Sequence, residues 1–486
     1  MKLTSLYRSC WRITPLFSLL LLLSACATQP PSRDSQLSCS QLQQSFSRTV
    51  ARAGVGDRQA APIDAYPLLR VDRFLASFRT ETLSPSAAAA WQEALRHLGE
   101  EGRWIEWSNL PTVERTALQR LVPSDQNVLE QLTRCARSEP LDAALLRKTA
   151  VVPDEYRTLW RVLGLYPLTS LWVAHKAQAL RQEMQVSFTQ RFVATDNTLT
   201  YAPANNPPLT AGEVAELLQQ SANNPLALPK PQGAALQRLL STFAPVWQIE
   251  QQSDNDLIGK PIWRSNAEPT LDTTQPTLYT QLSYTRFQGQ LLLQLNYTLW
   301  FVAHPCNGRF DIYCGKFDGI TWRITLDRNG QPLAYDTMHN CGCYHLWLPT
   351  SRLRLRNNTA ALEPPFVPQR APDLLPGERI ALHIASGTHF IEQIGPITPP
   401  TTAITYSFAD YNELRSLPLP SGERRSLFNE SGIITSSQRA ERWLLWPMGV
   451  PSAGAMRQWG HHAIVFAGRR HFDDPSLLDQ FFERAP

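Results

Sequence analysis

The chain has no apolar stretch long enough to cross a bilayer, which takes roughly 20 residues; its clearest apolar run, Leu16 to Leu23, is too short. There is no P-loop, no G-x-G-x-x-G, no H-E-x-x-H and no C-x-x-C-H, so the phosphate, dinucleotide, zinc-protease and covalent-haem sites those motifs build are excluded. No G-x-S-x-G elbow is present. Val450-Pro451-Ser452-Ala453-Gly454 comes nearest, with Val where the first Gly should be. Ser386 in HIASGTH lies near His383 and His389, but these three do not make a triad. Repeats of fixed period are absent, which argues against a solenoid. Clustered basic charge is also missing. The one doublet of note, Arg469-Arg470 before His471, reads as a solvated strand end, and no nucleic-acid partner is expected.

What is present at the start is an export layout. Lys2, Arg8 and Arg12 precede the apolar run, which closes in Leu23-Ser24-Ala25-Cys26. This stretch resembles the lipobox of bacterial lipoproteins. The resemblance implies that residues 1–25 are removed and that Cys26 is acylated, several chains holding the protein stably where one would bind only marginally. Ala27, rather than Asp, resembles lipoproteins sorted to the outer membrane. The expected partner is therefore the membrane, through an N-terminal lipid anchor on the outer membrane, with the chain facing the periplasm. Without residues 1–25, 43 basic residues stand against 42 acidic ones, so the remaining chain is close to neutral.

Of eight cysteines, Cys10 falls in the signal and Cys26 at the lipidation site. Cys39, Cys135, Cys306, Cys314, Cys341 and Cys343 remain, an even number that favours disulfides in an oxidising compartment. Cys306 and Cys314 flank NGRFDIY and could close it, or each could bond one of Cys341 and Cys343. Cys39 and Cys135 would then pair with each other.

Four stretches follow: the signal (1–25), a Ser- and Pro-containing tether (26–39), a helical domain (40–245) and a β-rich domain (246–486), giving an α+β fold with a largely antiparallel second half. Ser84-Pro85 before AAAAWQEALRHL predicts a capped helix start, and Thr210 with Glu213 a capping box. Leu291, Leu293, Leu295, Tyr297, Leu299 and Phe301 alternate with Gln294, Asn296 and Thr298 as a strand does. ERIALHI from 378 and HAIVFAG from 462 predict further strands, and 476–484 a closing helix.

The densest chemistry is MHNCGCYH, 338–345. Asn329-Gly330 predicts a two-residue type I′ hairpin turn, which sets Leu326 opposite Leu333, Ile324 opposite Tyr335 and Arg323 opposite Asp336. Continued as a strand, that register places His339, Cys341, Cys343 and His345 on one buried face over about 20 Å. Four such groups cannot share one ion. Two neighbours can, with a third ligand from His461, His462 or His471, and imidazole with thiolate suits zinc or copper. Three ligands and one open position would allow water activation for hydrolysis. The candidate metal residues are thus His339, Cys341, Cys343, His345, His461, His462 and His471, within a set of histidines from 304 to 471 that also includes His304, His383 and His389. The alternative is a non-catalytic, disulfide-braced binding or assembly lipoprotein of the envelope.

Overall fold

A computed structural model describes residues 37–190, 192–357 and 361–486. The expected signal and lipobox lie outside these residues. The first half is mainly helical: α1 (Cys39–Ala53), α2 (Pro85–Asn109), α3 (Val128–Ser138), α4 (Thr158–Leu163) and α5 (Tyr166–Thr189). Ser84 caps α2 by accepting from the Ala87 amide at 3.2 Å, with Pro85 in its first turn. Leu42 and Phe46 of α1, Trp91 and Leu95 of α2 and Leu132 of α3 pack into a core built almost wholly from residues before 151. The Cys39–Cys135 disulfide ties α1 to α3 through it.

From residue 198 the chain turns to sheet. Strand β1 (Thr198–Ala202) comes first, then α6 (Ala211–Ser221), closed by the Thr210–Glu213 capping box, and α7 (Gly233–Phe243). The other strands of the two main sheets are, in chain order, β2 (Val246–Glu250), β3 (Thr277–Phe287), β4 (Gln290–His304), β5 (Gly315–Leu326), β6 (Pro332–His339), β7 (Leu346–Pro349), β8 (Arg379–Ile384), β9 (Ile391–Ile397), β10 (Ile404–Thr405) and β11 (Ser407–Asp410). They form a six-stranded sheet ordered β7-β6-β5-β4-β3-β11 and a five-stranded sheet ordered β9-β8-β2-β1-β10. The expected α+β class with a largely antiparallel second half holds; parallel pairs occur at β11–β3, β8–β2 and β10–β1.

The second core does not divide at 246. β1 pairs with β2 across that point, and Val214, Leu218, Leu239 and Leu240 of α6 and α7 pack with Leu295, Tyr297 and Trp322 of the large sheet. Leu293, Leu295, Tyr297, Leu299 and Phe301 share that core, as the alternation predicts, while Leu291, the sixth of that series, packs half-buried against the helical core. The opposite polar face of β4 is buried as well. Gln294 donates to Thr325, Asn296 to the Gln281 carbonyl, and the Thr298 and Thr321 hydroxyls meet at 2.9 Å. Burial of Gln294 is offset by hydrogen bonds at both ends of its amide, and that of Asn296 by those its Nδ2 donates.

The hairpin register is partly as expected. Ile324 pairs with Tyr335 and Arg323 with Asp336, but Leu326 pairs with Pro332, with an irregularity after it. Asp327 explains the shift: its carboxylate accepts the amides of Asn329 and Gln331, and only Gly330 of the two turn residues takes positive φ. An aspartate turn has replaced the type I′ turn. HAIVFAG is not a strand; it is irregular, held by an isolated bridge between Ala463 and His471. The closing helix is short, Leu477–Phe481.

Candidate metal centre

The strand predicted through MHNCGCYH ends at His339. Gly342 at φ +89° and Tyr344 at φ +56° reverse the backbone, and β7 returns beside β6 with Thr337 opposite Leu346. The His339 amide donates to the Cys343 carbonyl and the Gly342 amide to the His339 carbonyl, so the segment is a hairpin loop. A side chain at Gly342 would meet the Ala463 carbonyl at 2.5 Å and would also strain the left-handed backbone. The single shared face therefore does not exist. His339 turns toward Asp318, with Nδ1 3.6 Å from Oδ1, while the ring of His345 turns away to Asp336, with Nε2 3.0 Å from Oδ2.

The other predicted positions also separate. Cys341 and Cys343 are thiols, the Cys343 amide lying 3.3 Å from the Cys341 sulfur. Cys306 and Cys314 close their own loop as a disulfide, one of the open pairings. His461 lies between Glu155 (2.8 Å) and the Arg58 carbonyl. His471 accepts the Glu155 amide and sits 3.5 Å from Asp154. His462 is buried without a partner at Nε2, and burial pushes its pKa down to about 3. His461 and His471 stitch residues 58 and 154–156 to the C-terminal segment.

A different constellation converges instead. Asp318 lies in β5, opposite Phe301 of β4, and is fully buried. His304 ends β4, and its Nδ1 is 3.4 Å from Asp318 Oδ2. His389 sits in the tight turn between β8 and β9 at φ +55°, its ring stacked at 3.8 Å on Phe301, with Nδ1 2.9 Å from the same Oδ2. The ligand atoms of His304, Asp318 and His389 all lie within 4.8 Å of one another, so this group could hold a metal ion. Two imidazole nitrogens at 2.9 and 3.4 Å from one carboxylate oxygen match the ~3.3 Å edge of a tetrahedron with arms of about 2.0 Å.

The surroundings fit such a group. His389 Nε2 lies 3.3 Å from Asp256 Oδ1, off the line of a good hydrogen bond, and is otherwise unpartnered. Asp256 is itself fixed by the amides of Gln252, Ser253 and Gly387 and by the Ser386 hydroxyl. A carboxylate behind a ligating histidine is the usual outer support of a metal. Burial alone would raise the Asp318 carboxyl, but Arg439 at 3.3 Å and the three imidazoles hold it well below the usual carboxylate range. Burial depresses His339, whereas the carboxylates on either side of His389 raise it despite burial.

Sequence reasoning included His304 and His389 in the histidine-rich region but selected neither, and it passed over Asp318, Asp256 and Arg439. A signal existed for Asp318. In FDGITWRITL an acid sits inside an otherwise apolar strand, and a buried acid requires partners. No family model, curated protein or solved structure matches this chain.

Proposed function

We propose that the chain is an outer-membrane lipoprotein of the cell envelope, anchored through Cys26 and facing the periplasm, whose β-rich half carries a divalent metal centre at His304, Asp318 and His389. The observation that carries the metal reading is the meeting of two imidazoles on one buried carboxylate oxygen, drawn from two strands and a turn. Zinc is favoured over copper. The cysteine sulfurs that would suit Cu(I) stand outside the group, and two imidazoles with one carboxylate form a known three-ligand zinc set with a fourth position open. Bound there, zinc would supply Lewis acidity for hydrolysis. This chain's own parts would position it: Asp256 orients His389, Phe301 fixes the plane of its ring, and Arg439 balances Asp318. His304, the least buried of the three, marks the side from which a substrate would approach.

The test is elemental analysis of the full chain, with Asp318→Asn and His389→Ala beside it. One zinc per wild-type chain and none in either variant is expected. Wild type without stoichiometric metal after zinc loading overturns the reading and leaves the cluster as a buried charge network in a disulfide-braced binding protein. The anchor is tested separately, by the mass of the N-terminal peptide at Cys26.

A further inference from the structure

Helices α4 and α5 form an apolar prominence. Leu163, Leu165, Leu168 and Trp172 are 58–69 % exposed, as are Trp443 and Leu444 from the C-terminal segment. Soluble proteins scatter exposed leucines singly; a joined set of this kind marks an interaction surface. The set is joined. Gly164, between the helices, lies so close to Pro447 that a Cβ there would come within 2.4 Å of it, and the Arg157 amide donates to the Gly449 carbonyl. Arg161 locks the joint, donating to the Met448 carbonyl with its guanidinium over the rings of Tyr156 and Tyr166. Leu165 is held at φ +49° with its side chain outward, a conformation unusual for leucine.

We propose that this prominence inserts into the interface of a phospholipid bilayer that carries anionic headgroups. The sequence around it supplies the charge argument. No Asp or Glu occurs from 157 to 182 or from 442 to 472, while Arg157, His175 and Lys176 are exposed beside the apolar residues. Tryptophans at 160, 172, 443 and 446 supply the amphipathic rings that concentrate at headgroup depth. Basic neighbours, tryptophan and an exposed aliphatic tip suit a surface that rests at headgroup depth. A protein partner fits less well, because the tip is mainly leucine, which is under-represented among the residues that dominate protein interfaces. No described helix is long and apolar enough to cross a membrane, so insertion would be shallow. The proposal goes beyond the metal centre. It rests on the envelope reading only for which membrane is met.

The test uses the full chain with vesicles of phosphatidylethanolamine and phosphatidylglycerol that contain brominated acyl chains. Any anchor at Cys26 is present in every arm, so differences report the prominence alone. Wild type is expected to show tryptophan quenching. Trp172→Phe/Trp443→Phe should lose most of it, and Leu163→Glu/Leu168→Glu should abolish it while leaving the mass at Cys26 and the metal content unchanged. Quenching that is absent in wild type, or unaltered in both variants, overturns the proposal. So does a self-associated wild type that Leu163→Glu/Leu168→Glu converts to monomer without any lipid signal, since the surface would then be an interface between copies. An unmodified Cys26 with quenching intact would count against the anchor and not against insertion.

Discussion

Two buried aspartates stand near the two ends of the 338–345 hairpin, each with an arginine and at least one histidine, and they have different characters. Asp336 is saturated. Arg323 meets it at both oxygens, Nε to Oδ1 at 2.9 Å and an Nη to Oδ2 at 2.5 Å, while its guanidinium stacks on Phe472 and His345 takes the remaining approach. Charge is matched one to one in a bidentate geometry. Asp318 is matched loosely. Arg439 reaches one oxygen at 3.3 Å, and imidazoles from three separate elements fill the remaining directions. Several imidazole nitrogens around one carboxylate can each give up a proton in exchange for a shared cation, whereas a fork of guanidinium donors that cannot deprotonate suits a framework. Residue types alone do not separate these cases; stoichiometry and aim do.

The sharpest way to break the comparison is to remove each partner. Asp336→Ala leaves Arg323 buried without its counter-charge and should cost about 3–5 kcal/mol in urea unfolding, with zinc content unchanged. Metal lost together with stability would show that the two aspartates form one unit. The next effect is on affinity. Asp256→Asn keeps the shape but weakens the acceptor behind His389, so zinc affinity, read by competition with a chromophoric chelator, should fall about 10–100-fold. Its stability without metal should change far less than that of Asp336→Ala. An affinity equal to wild type would remove Asp256 from the site.

Much of the framework was legible, for identifiable reasons. Ser84-Pro85 and Thr210 with Glu213 act within one helical turn, where spacing along the chain is spacing in space. The alternation in β4 and the Arg323–Asp336 pairing survived because a buried strand tolerates little slippage. The metal centre was hidden because its members lie 71 and 85 residues apart along the chain, from Asp318 and His304 to His389, and they come from two different sheets that only tertiary packing brings together. The Cys/His series misled for a local reason. Alternating residues imply one face only while the backbone stays extended, and Gly342 provides the reversal that sends His339 and His345 to different aspartates. Helices α6 and α7 precede residue 246 yet pack on the sheet, a choice of neighbour that their apolar faces alone do not announce.

The smallest effect tests whether Asp336 is a framework element through its titration. Burial lowers the pKa of His345 below its ordinary 6.5 in spite of the carboxylate 3.0 Å away, so the ring stays neutral in the folded protein. Unfolded chains take up that proton first as pH falls. The contribution of His345 is therefore fully present above about pH 6.5 and is lost on acidification toward its folded value, with a slope of at most about 1.4 kcal/mol per pH unit. Asp336, held below its ordinary 3.8 by Arg323 and His345 against burial, adds a second loss in the same direction at lower pH. His345→Gln should flatten the upper limb, between about pH 6.5 and 5, in urea midpoints taken across that range, and should leave the limb below pH 4 in place. His462 and His471, lowered to about 3 and about 4, keep part of the slope alive in the variant, so flattening and not abolition is the expected signature. A His345→Gln profile that instead falls more steeply than wild type between about pH 6.5 and 5 would mean that the ring had been adding stability on acidification and is charged in the fold. Asp336 would then be counter-balanced twice, by Arg323 and by an imidazolium, and the contrast with Asp318 would fail.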